Sequence, residues 1–258
     1  MKDLGIQHFS LEGKTAIVTG AAKTSGLCYG MAKALHDAGA EIVLMDVSAQ
    51  THELAKMLGG AANRYHAVQV DLCDQESMKT GFVKALELVG GKLDILLNGA
   101  GLQYRCDAID FPTDKWMQIM DINLNATFFM SQMAARVMIP NGGGKIINIA
   151  SMTSFLASRR IPAYSASKGA VMQLTRALSN EWCSQGVNVN AIAPGYMATE
   201  LTTSLIDTEQ GRATTARIPA NRWGNAEDLA GVTIFLASAA SNYVSGAIIP
   251  VDGGYLGM

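Results

Sequence analysis

The segment Tyr164-Ser-Ala-Ser-Lys168 brings together a phenol and an ammonium group, two groups that can take part in proton transfer. In a helix, a spacing of four residues places both side chains on one face, one turn apart. A free phenol has a pKa of about 10, so it is a poor base near neutral pH unless a cation stabilises the phenolate. Lys168 is such a cation. The pair therefore predicts general acid–base chemistry.

A third polar group, Ser151, follows the apolar segment KIINIA (145–150). If that segment is a strand, Ser151 lies at its carboxyl end, where open α/β sheets bind their ligands. Taken singly, each part has an ordinary explanation, because Tyr-x-x-x-Lys spacing is common and a Ser after a strand is usually a cap. Their joint occurrence downstream of a dinucleotide-type turn favours an active site.

That turn is the glycine-rich segment TGAAKTSGLCYG (19–30), which links a short apolar segment to a helical one. Gly20 and Gly26 allow bare backbone to approach a pyrophosphate at a helix N-terminus, where N–H groups and the helix dipole favour anions. Gly30, one turn into the helix, would permit close helix–strand packing. The alternative is a glycine-rich turn that binds no ligand.

Asp46 favours the ligand, because it ends the second strand 20 residues after Gly26. A carboxylate there binds the adenosine ribose hydroxyls and repels a 2′-phosphate, which predicts NAD as the cofactor. Lys23 in the turn is an opposing signal, since it could reach a phosphate. Asp71, at the end of the third strand, is placed either to bind the adenine amino group or to cap a helix.

Elements that could position these groups follow from hydrophobic patterning. Seven apolar, β-rich segments alternate with helical ones such as 26–38 and 114–139; the seven are 15–19, 41–46, 65–70, 93–97, 145–150, 187–193 and 247–251. Near-continuous apolar strands are buried on both faces. The pattern predicts an α/β fold: a Rossmann-type, doubly wound domain with a seven-stranded parallel sheet and helices on both faces. Residues 194–224 lack a clear pattern, as lids and binding loops often do.

Composition narrows the class of protein further. The 258 residues are 49% hydrophobic and 16% charged, with a formal net charge of −2. We expect one domain over 1–258 with a substrate lid within 195–222, and neither a nucleic-acid nor a membrane partner. No apolar segment has transmembrane length and the N-terminal residues lack a signal-peptide core, so we expect a cytoplasmic protein. The four Cys and four His lack metal-site spacing, so no metal is expected.

Several segments together resemble the short-chain dehydrogenase/reductase family along essentially the whole chain: TGAAKTSG, VDL, LNGAG, DINLNATFF, IINIAS, YSASK, NVNAIAPGYMAT and VDGG. The resemblance implies a catalytic tetrad of Asn123, Ser151, Tyr164 and Lys168. Tyr164 would be the general acid or base, and Ser151 would hold the substrate oxygen. Lys168 would lower the pKa of Tyr164 and bind the nicotinamide ribose, while Asn123 would anchor a water that relays the proton.

Candidate binding residues complete this hypothesis. Those for the cofactor are Gly20, Ser25, Gly26, Leu27, Asp46, Val47, Asp71, Leu72, Asn98, Gly99, Ala100, Tyr164, Lys168, Pro194, Gly195, Met197 and Thr199. Those for the substrate are Arg105, Ser151, Thr153, Arg160, Tyr164 and Tyr196, with Arg159 as a weaker candidate. An arginine is expected because guanidinium groups bind carboxylates in bidentate fashion.

Two features depart from the family pattern. Five residues rather than three separate Gly20 from Gly26, and Cys28 stands where a third glycine is usual. The longer turn resembles that of enoyl-acyl-carrier-protein reductases, but those enzymes space Tyr and Lys by seven, whereas position 171 is Val here. Gly99 is the second departure, because the family usually has Asn-Asn-Ala-Gly where this chain has Asn-Gly-Ala-Gly.

Within the family, the segments FSLEGK, GGKIINIASM, RIPANRWG and VDGGYL resemble sugar-acid dehydrogenases of the 2-dehydro-3-deoxygluconate and gluconate type. This resemblance implies hydride transfer between NAD(H) and a secondary alcohol or ketone of a sugar acid, in a cytoplasmic homotetramer. A 3-oxoacyl-carrier-protein reductase, which shares the tetrad, is the alternative enzyme. A non-catalytic dinucleotide sensor is the alternative from another class, although a sensor needs no proton donor.

Overall fold

A computed structural model of the protein describes residues 5–199 and 202–257, and a parallel seven-stranded sheet lies at its centre. The strands run in the order β3-β2-β1-β4-β5-β6-β7. Their bounds are β1 Thr15–Thr19, β2 Glu41–Asp46, β3 Tyr65–Gln69, β4 Ile95–Asn98, β5 Gly144–Ile149, β6 Val187–Pro194 and β7 Ile248–Val251. The strand order reverses between β1 and β4, and the predicted doubly wound parallel sheet is confirmed.

Successive residues of the central strands pack into cores on opposite faces of the sheet. In β1, Val18 belongs to one core and Ile17 to the other, and all three of Ala16, Ile17 and Val18 are fully buried. Side chains alternate across a strand, so a strand that is apolar throughout must be covered on both faces. Burial on both faces of the sheet therefore explains why the central strands are continuous apolar segments in the sequence.

Helices cover both faces. Their bounds are α1 Leu27–Asp37, α2 Gln50–Met57, α3 Gln75–Leu88, α4 Thr113–Met120, α5 Ala126–Met138, α6 Pro162–Trp182, α7 Thr203–Ile206, α8 Glu209–Thr215 and α9 Ala226–Ala237. Most buried apolar residues of α1, α2 and α9 belong to one core, and most of those of α3 and α5 belong to the other, together with Leu178 of α6. Val171 of α6 packs in a smaller cluster with Ala150, Ala191 and Ala193.

The helix predicted over 114–139 is interrupted. A π-helical turn, Asp121–Asn125, separates α4 from α5 and carries Asn123. A π turn widens the helix by one residue, and such turns are frequent at functional sites. Hydrophobic periodicity misses it because the apolar face continues through the turn.

Gly30 permits a different contact from the one predicted. A Cβ at this position would lie less than 3.0 Å from Cβ of Ala226, the first residue of α9. The expectation of close helix–strand packing was therefore wrong: Gly30 lets α1 approach another helix. The sequence contains no local signal for this pairing, because α9 follows about 200 residues later.

The segment 194–224 contains two short helices, α7 and α8, in its described part. Its ends are held together, because the N–H of Gly224 donates to the carbonyl of Tyr196 (2.9 Å) and the N–H of Ala198 donates to the carbonyl of Gly224 (2.7 Å). Residues 200 and 201 of the predicted lid lie outside the described residues.

Candidate active site

The carboxyl ends of β1 and β4 meet in a tight backbone contact. Gly20 has a φ of +78°, and a Cβ there would lie 2.7 Å from the backbone N and Cα of Ala100. Thr19 Oγ1 accepts hydrogen bonds from the N–H groups of Gly99 (3.0 Å) and Ala100 (3.2 Å). The glycine-rich turn and the loop after β4 are therefore joined where the strand order reverses, which is where such sheets bind nucleotides.

Asp46, at the end of β2, is held against the same turn. One carboxylate oxygen accepts the N–H of Ala22 (3.2 Å), and the other accepts the N–H of Ser48 (3.0 Å). Val47 is 61% exposed beside it. Two backbone donors thus fix the carboxylate in place, while its remaining lone pairs can accept further hydrogen bonds.

The catalytic candidates on α6 lie within its first two turns. The helix begins at Pro162, a residue favoured at the first helical position. The Nζ of Lys168 lies 5.7 Å from the ring centroid of Tyr164 and donates a 2.6 Å hydrogen bond to the carbonyl of Ile149. Lys168 is 4% exposed, so its ammonium is buried beside the end of β5.

Burial dominates the pKa values of both groups. It raises the pKa of Tyr164, and a hydrogen bond with Ser151 opposes that rise. It lowers the pKa of Lys168 to about 8. Desolvation disfavours the charged form of either group, so the phenol is neutral at pH 7 and the lysine titrates unusually close to neutrality. That Lys168 lowers the pKa of Tyr164 stays a prediction.

Ser151 and the residues after it are tied to α6. Ser151 Oγ accepts the N–H of Thr153 (3.1 Å), and Ser154 Oγ accepts the N–H of Ser151 (3.3 Å). Ser154 Oγ in turn donates to the carbonyl of Lys168 (2.7 Å). This local capping network holds the Ser151 hydroxyl beside Tyr164.

Thr153 has a buried hydroxyl without a partner. The residue is 7% exposed, and its Oγ1 makes no hydrogen bond to the described part of the chain. Leaving a buried polar group unpaired costs about 1–3 kcal/mol, and native proteins rarely retain one without reason. A hydroxyl of this kind two residues after Ser151 suits a polar substrate group.

Asn123 is fixed by the backbone of Leu102. Its Oδ1 accepts the N–H of Leu102 (2.7 Å), and its Nδ2 donates to the carbonyl of Leu102 (3.0 Å) and to Ser167 Oγ (3.0 Å). Ser167 Oγ donates to the carbonyl of Tyr164 (2.8 Å). Asn123 thus links the loop after β4 to α6. Sequence reasoning missed Ser167, although its position three residues after Tyr164 places it one helical turn away.

Other cofactor candidates lie at the same edge but make structural contacts. The amide of Asn98 points into the interior, where it donates to Ser131 Oγ and Asn148 Oδ1, both at 2.9 Å. Contacts to a nucleotide at this position must therefore come from neighbouring backbone. Asp71 accepts the N–H of Cys73 (2.8 Å), and Asp74, not Asp71, caps α3.

The remaining candidates are placed as follows. Ser25, Gly26 and Leu27 form the entry to α1; Leu72 is buried after β3; Pro194, Gly195, Met197 and Thr199 follow one another from the end of β6. Among residues 5–199 and 202–257, no helix is long and apolar enough to cross a bilayer. The same residues contain no group of three or more His, Cys, Asp or Glu arranged to hold a metal ion.

Comparison with known proteins agrees with this geometry. A family model described as enoyl-(acyl carrier protein) reductase matches residues 20–256. The chain is 43% identical to 2-dehydro-3-deoxy-D-gluconate 5-dehydrogenase of Bacillus subtilis (strain 168), over 98% of this chain and 99% of the relative. It is 47% identical to the enzyme of the same name from Escherichia coli (strain K12), over 97% and 98%.

A solved structure shares the fold. The gluconate 5-dehydrogenase from Burkholderia cenocepacia J2315, in complex with NADP and tartrate, is 37% identical and superposes with a TM-score of 0.91 over 98% of each chain. These matches extend over the sheet, the glycine-rich turn and the Ser151, Tyr164 and Lys168 cluster. The chain belongs to the short-chain dehydrogenase/reductase family.

Proposed function

We propose that this protein is an NAD-dependent dehydrogenase that interconverts a secondary alcohol and a ketone of a sugar acid. One observation carries the proposal: the phenol of Tyr164 lies beside the hydroxyl of Ser151, and the ammonium of Lys168 lies 5.7 Å from the Tyr164 ring centroid, at the carboxyl edge of the sheet. The named relatives, which act on 2-dehydro-3-deoxygluconate or gluconate, support the substrate class.

The proposed reaction assigns a part to each residue of the tetrad. Ser151 holds the reacting oxygen of the substrate, and Tyr164 accepts its proton in alcohol oxidation or donates one in ketone reduction. Asn123 holds the Leu102 loop and α6 in register and anchors a water for proton relay. When bound, the nicotinamide supplies hydride chemistry and, in the oxidised form, a positive charge.

The residues present fit a dinucleotide. Gly20 and Ala100 meet through backbone with no side chain of Gly20 between them, and the helix α1 starts directly after Gly26. Lys168 would bind the nicotinamide ribose. Asp46, fixed by two N–H groups, would bind both adenosine ribose hydroxyls and repel a 2′-phosphate, which is why we propose NAD rather than NADP.

For the substrate, Thr153 is proposed to bind a hydroxyl and Arg105 the carboxylate. Thr153 supplies the unpaired buried oxygen described above. Arg105 is exposed on the loop after β4 and has no carboxylate within 4.0 Å in the described residues. Arg160 is the weaker candidate, because its guanidinium already pairs with Asp107 at 3.1 Å.

The domain bounds, the lid, the cellular location and the oligomeric state are also part of the proposal. We propose one domain over 1–258, a lid within 195–222, a cytoplasmic location and a homotetramer. The backbone hydrogen bond between Tyr196 and Gly224, which flanks the lid, supports a hinged segment. Hydrogen exchange tests this element: protection within 202–217 should increase when NAD and substrate bind together, whereas equal protection in free and bound enzyme would identify a packed segment.

A substrate panel tests the function. Sugar acids, their ketones and a 3-oxoacyl thioester are assayed with NADH and with NADPH, following the absorbance of the reduced nicotinamide. We expect turnover of a sugar-acid ketone with NADH. Preferential turnover of the thioester would identify a 3-oxoacyl reductase instead. Cofactor binding with no turnover of any ketone would identify a dinucleotide sensor.

A further inference from the structure

The arginines on the loops around the site differ in whether an acidic residue neutralises them. Arg160 pairs with Asp107 at 3.1 Å, and Arg222 pairs with Asp228 at 2.6 Å. Arg105 and Arg217 have no carboxylate within 4.0 Å in the parts of the chain that the structure describes. Among the described residues, the positive charges of Arg105 and Arg217 thus have no carboxylate counter-ion, and the same holds for Arg159 and Arg212. Sequence reasoning did not single out Arg217.

Arg217 is positioned by an aromatic ring. Its guanidinium carbon lies 5.0 Å from the ring centroid of Tyr255, and Tyr255 is 8% exposed. A guanidinium that stacks on a ring keeps its N–H edges available for a planar anion, because the ring occupies only its face. Stacking therefore orients the cation without neutralising it.

The same ring connects Arg217 to the catalytic segment. Tyr255 packs in one buried cluster with Met152 and Ile218, and Met152 directly follows Ser151. Ile218 directly follows Arg217. Ile218 of the lid, Tyr255 near the C-terminus and Met152 thus form one packed unit. Arg217 stands at the edge of this unit.

Tyr196 lies close enough to both Arg217 and Arg105 to be affected by their charges. Its ring lies 5.4 Å from that of Tyr255. Burial raises the pKa of Tyr196, Tyr255 adds to the rise, and the charges of Arg217 and Arg105 both oppose it. One cation comes from the lid and the other from the loop after β4, and the charges of both reach the phenol of Tyr196.

We propose that Arg217 is a binding residue for the carboxylate of the substrate, acting from the lid together with Arg105. The inference rests on the proposed sugar-acid function and adds a second cationic anchor that closes over the acid with the lid. An ordinary structural role for the Arg217–Tyr255 stack is the alternative, and it predicts no dependence on the charge of the substrate.

The test compares Arg217→Gln with wild type on two substrates: the sugar-acid ketone that wild type turns over, and its methyl ester. Arg212→Gln is the matched control, since Arg212 is another exposed lid arginine and donates to the backbone carbonyl of Asp207. We expect KM for the acid to rise about tenfold in Arg217→Gln, at the lower end for a charge-assisted contact because the group is exposed. KM for the ester and for NADH should not change. Arg217→Lys should recover part of the loss.

Equal losses on acid and ester, or no loss on either, would overturn the inference. A second arm separates it from the proposed function: tartrate is titrated calorimetrically into the enzyme–NADH complex of wild type and Arg217→Gln. We expect tighter binding by wild type, and identical binding or no binding to either protein overturns the role of Arg217. The proposed function fails on other grounds, namely when wild type turns over no sugar-acid ketone.

Discussion

The sulfur of Cys28 occupies the space that a side chain at position 99 would need. A Cβ on Gly99 would lie less than 3.0 Å from Cys28 Sγ, and the thiol donates to the carbonyl of Gly99 at 3.4 Å. Burial raises the pKa of Cys28 to about 12, so it remains a packed thiol rather than a nucleophile. Cys28 and Gly99, which both depart from the family pattern, therefore form one packing arrangement beside the proposed cofactor site.

Substituting the two residues, singly and together, tests this coupling. Gly99→Ala should destabilise the protein by about 1–3 kcal/mol, because the new methyl group meets the sulfur. Adding Cys28→Ala removes the sulfur. The double variant should therefore lose less free energy of unfolding than the two single variants lose in sum, by about 0.5–2 kcal/mol. Recovery should be partial, because Thr19 O also lies 2.9 Å from that Cβ position. Urea unfolding measures each variant, and strict additivity would contradict the coupling.

Tyr164→Phe tests the proton donor. The variant keeps the ring that packs beside Lys168 but removes the hydroxyl, so kcat should fall about 10²–10⁴-fold. NADH affinity, measured by fluorescence titration, should remain that of wild type because the ring and Lys168 stay in place. A kcat equal to that of wild type would remove Tyr164 from the mechanism.

Burial of the Lys168 ammonium lowers the stability of the folded protein near neutral pH. Its pKa is about 8 in the folded protein and about 10.5 when unfolded, so below pH 8 folding must bury a charged ammonium. Between pH 8 and 10.5 the unfolded state binds more protons than the folded state, and stability rises with pH through this window. The full difference corresponds to about 3 kcal/mol.

Lys168→Met removes this titration. The free energy of unfolding of wild type, relative to the variant, should therefore rise from pH 7.5 to 10.5, while the variant is inactive at every pH. Lys145, whose pKa burial also lowers to about 8, is present in both proteins and cancels in the difference. Chemical denaturation at a series of pH values provides the measurement. A pH-independent difference would show that burial does not lower the pKa of Lys168 in the folded protein.

Asp46 should determine the choice of cofactor. Asp46→Ser combined with Val47→Arg removes the carboxylate and adds a cation at an exposed position, so the preference for NADH over NADPH should fall by about ten- to a hundredfold. Val47→Arg alone is the control, because it retains Asp46 and should change the ratio less. The measurement is the ratio of kcat/KM with NADH to kcat/KM with NADPH for wild type and both variants. A wild type that already prefers NADPH would mean that Lys23 outweighs Asp46.

The sequence was informative where chemistry depends on local spacing. The i, i+4 pair Tyr164 and Lys168 and the strand-end Asp46 lie where their positions in the chain predicted them. Contacts between distant segments were not predictable in this way. The packing of Cys28 on Gly99, of Gly30 on Ala226 and of Arg217 on Tyr255 depends on how separate elements are brought together, which periodicity does not encode.

The π-helical turn at Asn123 is the second kind of feature that the sequence did not predict. Its two hydrogen bonds to the backbone of Leu102 stabilise a local widening that hydrophobic spacing alone does not distinguish from continuous α-helix. The paired charge of Arg160 is similar, because Asp107 becomes its neighbour only when the loops after β4 and β5 come together.

Arg105 is the residue whose substitution should separate carboxylate recognition from catalysis. Arg105→Ala should raise KM for a sugar-acid ketone about tenfold, because an exposed charge-assisted contact lies at the lower end of its usual range. KM for the methyl ester should stay near that of wild type, since the ester offers no charge. Arg160→Gly is the matched control: glycine accepts the φ of +66° at this position, and the charge removed is one that Asp107 already neutralises. That variant should change neither KM. Steady-state kinetics gives KM for the acid and for the ester in both variants. A larger rise in KM for the acid from Arg160→Gly than from Arg105→Ala would assign the carboxylate site to Arg160.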